Sequence, residues 1–269
     1  MRAFRSGRRR PGIDQSLTIA PRMSAETLHR VRRAWSVVRL SAVAARPFRC
    51  PICGLSLLLR LAPRDIAVRC LRCAASAVTL SLVSVLRTVR PGLDTLSVYE
   101  LSSRGPLVEF LRRRAAELAT SEYLDDVPPG TARDGVLCQD VQQLTFPDAS
   151  FDVCTSTEVF EHVADDARGF REIRRVLRAG GAFVFTVPLR DDEVTVERAH
   201  VQDGRIVHLL PPEYHGDRIR GRDGVFAFRT YGGDIVERLR GAGFQRARID
   251  WRCRKAFLGH GRGVVVAEV

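Results

Sequence analysis

The residues with the most specific chemical spacing are four cysteines. In the stretch FRCPICGLSLLLRLAPRDIAVRCLRCAAS, Cys50 and Cys53 form one CxxC pair and Cys70 and Cys73 a second, with 16 residues between the pairs. Each pair can offer two thiolates from one tight turn, and two such turns close a tetrahedron of sulfur around a zinc ion. Gly54, directly after the first pair, suits the sharp bend of such a turn. The apolar runs LSLLLRLA and DIAVR are expected as the strands that join the turns. Four protein ligands leave no position for a reacting water, so the ion expected here is structural. The competing readings are four unrelated buried cysteines or a redox pair; a disulfide framework fits a reducing compartment poorly. Cys138, Cys154 and Cys253 stand apart in the chain and read as small core residues.

A second series is acidic. Glu100, Glu122 and Asp140 follow one another at intervals of 22 and 18 residues, each at the expected end of a strand. In open α/β sheets ligands collect outside the carboxyl ends of the strands. Carboxylates there can accept hydrogen bonds from ribose hydroxyls or an adenine amino group, or oppose a cationic ligand. Strand ends also tolerate acids because they meet solvent, so it is the recurrence that points to a site. The loop after Glu100 reads ELSSRGP, with small Ser102 and Ser103, one glycine at Gly105, and Arg104 where a side chain would hinder a ligand unless it points outward.

A third group lies in residues 189–230, too long for a plain connection and therefore expected to face substrate. Its segment HLLPPEYHGD gathers His208, Glu213, Tyr214, His215 and Asp217. His215 is the candidate base, because imidazole titrates near neutrality; a locally bonded turn histidine is the alternative. His162, in FEHV, is a candidate pocket residue that a helix start could equally use for capping or packing. Glu197 and Arg198 are expected as a local ion pair, and Asp165 and Asp166 as capping charges before a helix.

These residues need a scaffold, and from residue 94 the pattern alternates strand, helix, strand, which predicts a doubly wound α/β sheet. DTLSVYEL reads as the first strand and GPLVEFLRRRAAEL as the first helix, with Leu107, Phe110, Leu111 and Leu118 on its buried face. ATSEYLDD, DGVLCQD, SFDVCTSTEVF and GAFVFTVP follow as strands two to five, and the last pair, in FQRARIDW and GRGVVVAEV, completes a seven-stranded sheet.

Residues 1–49 hold 12 arginines against Asp14 and Glu26, whereas the remainder is nearly balanced. Such a leader can contact phosphates or anionic lipid, or can simply be solvated and partly disordered. Leu28, Val31, Trp35, Val38 and Ala42 fall on one helical stripe within it. Lys255 is the only lysine, so the arginine excess reads partly as compositional bias. The basic start lacks the apolar core of a secretory signal, and AVTLSLVSVL is too short to span a bilayer, so a cytoplasmic protein is expected.

Residues 91–269 resemble the class I S-adenosylmethionine-dependent methyltransferases, in particular the branch called methyltransferase type 11, on the motifs QDVQQLTFPDASFDVCTSTEVFEHV and EIRRVLRAGGAFVFTVP. The resemblance implies a Rossmann-like seven-stranded doubly wound sheet and S-adenosylmethionine as cofactor. It places Glu100 beside the methionine part of the cofactor, Ser102 and Gly105 in the loop that approaches the cofactor, and Glu122 on the ribose hydroxyls. Asp140 and Val141 fall to the adenine, Thr157 and Glu158 lie near the methyl group, and His162 lines the adjoining pocket. The chain departs from the family at ELSSRGP, where the usual glycine-rich loop keeps only Gly105.

The chain thus divides into a basic leader (1–45), a four-cysteine zinc ribbon with linker (46–90) and a methyltransferase domain (91–269) with an insertion near 189–230. The expected acceptor is a small molecule and the cofactors are S-adenosylmethionine and structural zinc. A ribbon ahead of such a domain also resembles bacterial ribosomal RNA guanine methyltransferases, which makes RNA the alternative acceptor. A scaffold protein with a degenerate cofactor loop is the reading from a different class.

Overall fold

In a computed structural model, residues 39–269 form one compact unit, and the structure describes residues 43–190, 194–215 and 224–269. The expected leader helix through Leu28 and Trp35, and Asp217 of the insertion, lie outside the described residues.

The unit opens with a three-stranded antiparallel sheet, β1 (Ala44–Cys50), β2 (Gly54–Arg60) and β3 (Val68–Cys70), in that order. Gly54 starts β2 with φ +83°, a left-handed angle that a side chain would strain, and this lets the chain reverse within the CPIC turn. The 13-residue helix α1 (Ala77–Val89) follows, capped by Ser76, whose hydroxyl accepts from the Thr79 amide at 3.3 Å. This is the apolar run AVTLSLVSVL, buried by packing on the main sheet. No helix among the described residues is long and apolar enough to cross a membrane.

The main sheet comprises β4 (Ser97–Glu100), β5 (Glu117–Thr120), β6 (Phe151–Thr157), β7 (Leu177–Thr186), β8 (Arg246–Asp250) and β9 (Val264–Glu268), in the order β8-β9-β7-β6-β4-β5. The four strands β7, β6, β4 and β5 pair in parallel and the last two antiparallel, as expected for the edge. Six strands pair where seven are expected. The segment DGVLCQD, read as the third strand, pairs mainly as a two-residue hairpin, Ala132–Arg133 with Val136–Leu137, and meets the neighbouring chain only in a parallel bridge from Cys138 to Glu122. Gly135, at φ +76°, turns it back on itself, so its backbone groups are satisfied locally.

Side chains alternate across β7 as strand geometry requires. Phe183 and Phe185 join a core closed by helices α3 (Asp166–Val176) and α4 (Ile235–Gly241), while Ala182 and Val184 face α1 and α2 (Pro106–Arg112) on the other side. Phe160 stacks on Phe170 with ring centroids 4.5 Å apart; fully burying one such ring contributes about 2 kcal/mol. The first helix is shorter than its sequence pattern suggests. It ends at Arg112, and Leu118 belongs to β5, where pairing with β4 takes precedence over helical continuation.

Candidate active site

The cleft forms where parallel strands end. Beyond the carboxyl ends of β4, β5 and β6 the chain encloses about 700 Å³, lined by Ser102, Glu122, Asp140, Val141, Thr157, Glu158, His162 and His215 among others. Eight of the ten residues singled out for cofactor and acceptor therefore share one cavity. Glu100, which is buried, and Gly105, which is exposed, do not line it.

Glu100 ends β4 with 0% exposure; the Thr155 hydroxyl donates to its Oε2, and Oε1 has no partner among the described residues. Burial pushes its carboxyl up to about 8, although hydrogen bonds from Thr155 and Ser102 pull the other way. The serine-rich loop is fastened by its own chemistry. The amide and the hydroxyl of Ser103 both donate to Glu122 Oε1 at 2.8 Å. Arg104 is exposed and does not line the cleft, so its bulk leaves the approach open. Gly105 precedes α2 with φ +111°; a side chain there would meet open space but not an acceptable backbone angle.

Asp140 accepts from the Gln142 amide at 2.8 Å, which holds its carboxylate at the rim. Thr157 closes β6 opposite Thr186, and Glu158 follows at φ +54°, a strained angle for a residue with a Cβ. Its amide donates to the Thr186 carbonyl at 2.9 Å and its Oε2 lies 3.1 Å from Arg262, while Oε1 is buried without a partner among the described residues. Desolvation raises its pKa, and Arg262 opposes that shift.

The insertion is a set of short strand pairs clamped over the turn that carries His162. Val196–Glu197 pairs with Arg229–Thr230, Ala199–Gln202 with Arg205–His208, and Tyr214–His215 with Val225–Phe226. The Phe228 amide donates to the Glu161 carbonyl at 2.8 Å, and His162 Nδ1 lies 2.8 Å from the Phe226 carbonyl. The expected Glu197–Arg198 pair does not form. Glu197 bridges Arg229 at 3.0 Å and Arg238 at 2.7 Å, and Arg198 instead pairs with Glu213 at 3.2 Å. Adjacent strand residues point to opposite faces, which separates Glu197 from Arg198. Asp165 caps α3 as expected, accepting from the Arg168 amide, but Asp166 is buried and accepts from the Tyr231 hydroxyl at 2.9 Å and from Arg238 at 3.0 Å.

His215 sits in this insertion with Nε2 at 3.1 Å from Glu213 Oε1 and Nδ1 at 3.7 Å from Glu161 Oε1. These carboxylates raise its pKa, Glu161 first, against a lowering by burial. Glu161 is the residue that sequence reasoning passed over. Nothing in its local sequence, VFEHV, marks it as an acid without partners. Arg262, which joins Glu158 to Asp65 of the β2–β3 segment, gave no signal either.

The four cysteines of the first sheet converge away from this cleft. Their sulfurs lie within 4.8 Å of one another, with Cys50 to Cys73 at 3.7 Å and Cys53 to Cys70 at 3.5 Å, and all are free thiols. A tetrahedron of sulfurs about 2.3 Å from zinc has edges of about 3.8 Å, close to the two sulfur pairs above, so the donor set is of the kind that holds a structural ion. The Ile52 amide lies 3.4 Å from Cys50 sulfur, and Ser56 Oγ lies 3.2 Å from Cys70 sulfur. Burial and the neighbouring sulfurs push the Cys53 thiol up to about 11, which is the burden that a cation shared by four thiolates would relieve.

Comparison with known proteins finds a family match in the central part of the chain. Residues 105–185 match the methyltransferase domain family. A protein of Mycolicibacterium smegmatis named "Probable S-adenosylmethionine-dependent methyltransferase" is 31% identical over 130 residues, covering 47% of this chain and 43% of that one. One of the same name from Mycobacterium tuberculosis is 42% identical over 122 residues, covering 38% and 42%. The chain thus spans less than half the length of the curated relatives it matches. Among solved structures, an S-adenosylmethionine-dependent methyltransferase from Mesorhizobium loti is similar at 19% identity with a TM-score of 0.44, covering 70% of this chain and 98% of that one.

Proposed function

We propose that the protein is an S-adenosylmethionine-dependent methyltransferase acting on a small-molecule acceptor held between the strand ends and the insertion. One observation carries this reading: Glu122, Asp140, Glu158 and His162 on the sheet side and His215 on the insertion side face a common cleft of about 700 Å³. That volume suits a nucleoside cofactor with a small partner.

The cofactor residues are chemically fit for their ligand. Glu122, with Oε1 held by Ser103, would accept from ribose hydroxyls, and Asp140 with Val141 would take the adenine. Glu158, strained and with one oxygen unpartnered among the described residues, would face the positive sulfonium end. The cofactor supplies a sulfonium methyl open to in-line displacement. The protein then has to orient the acceptor, exclude water and accommodate a proton. The Glu161–His162–His215 group is assigned that acceptor end. We assign the Cys50, Cys53, Cys70 and Cys73 set to structural zinc.

The acceptor class is tested by incubating the protein with a labelled methyl donor and separate small-metabolite and RNA extracts. Label in the metabolite fraction is expected; label confined to RNA would move the assignment to an RNA methyltransferase.

A further inference from the structure

Glu161 should not be comfortable where it is. It has 0% exposure, and neither carboxylate oxygen has a hydrogen-bond partner among the described residues. A buried acid in that state normally pairs, protonates or binds a cation. Two imidazoles flank it: His162 Nε2 and His215 Nδ1 each lie 3.7 Å from Glu161 Oε1, their rings nearly perpendicular with centroids 5.0 Å apart. One donor atom from each of the three falls within 4.8 Å of the others.

The outer partners of both rings are those of metal-binding histidines. A carbonyl oxygen only accepts, so His162 carries its proton on Nδ1, toward Phe226 O at 2.8 Å, and Nε2 is its basic nitrogen. The Glu213 carboxylate at 3.1 Å likewise draws a proton to His215 Nε2 and leaves Nδ1 basic. Backbone carbonyl and carboxylate are the groups that orient ligating imidazoles and fix their tautomers. Both basic nitrogens converge on the unsatisfied carboxylate.

We propose that Glu161, His162 and His215 form a divalent transition-metal site at the acceptor end of the cleft, open on the cleft side to an oxygen of a hydroxyl-bearing acceptor. Two imidazoles and one carboxylate suit zinc, manganese or iron better than magnesium or calcium, and three protein ligands leave positions for substrate. This rests on the methyltransferase reading and refines the role of His215, which serves as a ligand rather than as the base. The ion acidifies the acceptor hydroxyl, whose proton leaves to water. The oxygen then forms its bond to the methyl carbon, and the electron pair of the broken carbon–sulfur bond stays on sulfur, leaving a neutral ether and a neutral thioether. Ile206, Phe226 and Phe228, lining the same cleft, give the body of the acceptor an apolar wall.

The test uses the full chain as purified, with any metal at its cysteines left in place. Wild type, Glu161→Gln, His162→Ala and His215→Ala are incubated with excess Mn²⁺, separated from free ion and analysed for total metal. Wild type is expected to hold one more equivalent than each variant, and Glu213→Gln to weaken Mn²⁺ binding by about 10- to 100-fold. Equal metal content in wild type and all three ligand variants would overturn the site. Glu161→Gln is nearly isosteric, and S-adenosylhomocysteine binding to the variants, read by calorimetry, reports that the cleft is intact. The two readouts also separate the two assignments. Failure of wild type to bind S-adenosylhomocysteine counts against the methyltransferase reading, whereas the metal count alone decides the site.

Discussion

At the scale of single residues, the cleft is built from carboxylates held in uncomfortable places. Glu100 is the plainest case. Its folded carboxyl titrates at about 8, raised by burial, whereas in the unfolded chain it returns to the ordinary carboxylate range. Between those values the folded protein keeps a proton that the unfolded chain releases, so stability is full below the ordinary range and falls as pH rises toward about 8. Glu100→Gln removes the titration while retaining an acceptor for Thr155. It is expected to melt above wild type at pH 8.5, by on the order of 5 °C, with the gap closing at pH 5; parallel melting curves across that range would disprove the assignment. Glu100, Glu122 and Asp140 were legible in sequence because each follows a run of β-forming residues at a sheet-repeat interval. Glu161 was not, because neighbouring sequence does not show that an acid lacks partners. Its surroundings include His215, near its carboxylate, and Phe228, bonded to its carbonyl, both more than fifty residues downstream.

At the scale of elements, the cysteine sheet has too few apolar residues to stand by itself. Leu58, Val68, Ala75 and Leu80 are buried among the four cysteines, Cys253 and Phe257, so the C-terminal segment completes that core. A zinc ion here would supply folding energy directly. Cys70→Ser/Cys73→Ser is expected to lose one zinc per chain and to melt well below wild type; unchanged zinc content by elemental analysis would remove the ion from the account. The two CxxC pairs announced this element because ligand spacing is local. The helical and β periodicities likewise gave the alternating body, with α2 overextended and the third strand reduced to a bridge. Pairing partners are long-range, but the hairpin itself had a local signal that the strand reading passed over: Asp134 and Gly135 form an Asp-Gly turn, both at positive φ. The insertion was recognisable by length alone. Its anchoring by Arg229, 4% exposed and 3.0 Å from Glu197, joins residues 32 apart.

At the scale of the whole molecule, one side chain links the segment between β2 and β3 to the cleft. Arg262, on the segment before β9, lies 3.2 Å from Asp65 between β2 and β3 and 3.1 Å from Glu158 at the cleft. His260 adds a second contact to Asp65 at 2.9 Å. The cysteine sheet is therefore fastened to the wall that would face the sulfonium. The central claim is that this cleft holds S-adenosylmethionine despite a loop with one glycine. Calorimetric titration of the full chain with S-adenosylhomocysteine tests it most directly, with Asp140→Ala and Gly105→Val alongside. Wild type is expected to bind one equivalent with micromolar affinity, and the variants at least tenfold more weakly, which corresponds to about 1.4 kcal/mol. No heat of binding by wild type at millimolar ligand would contradict the account and leave the fold as that of a scaffold.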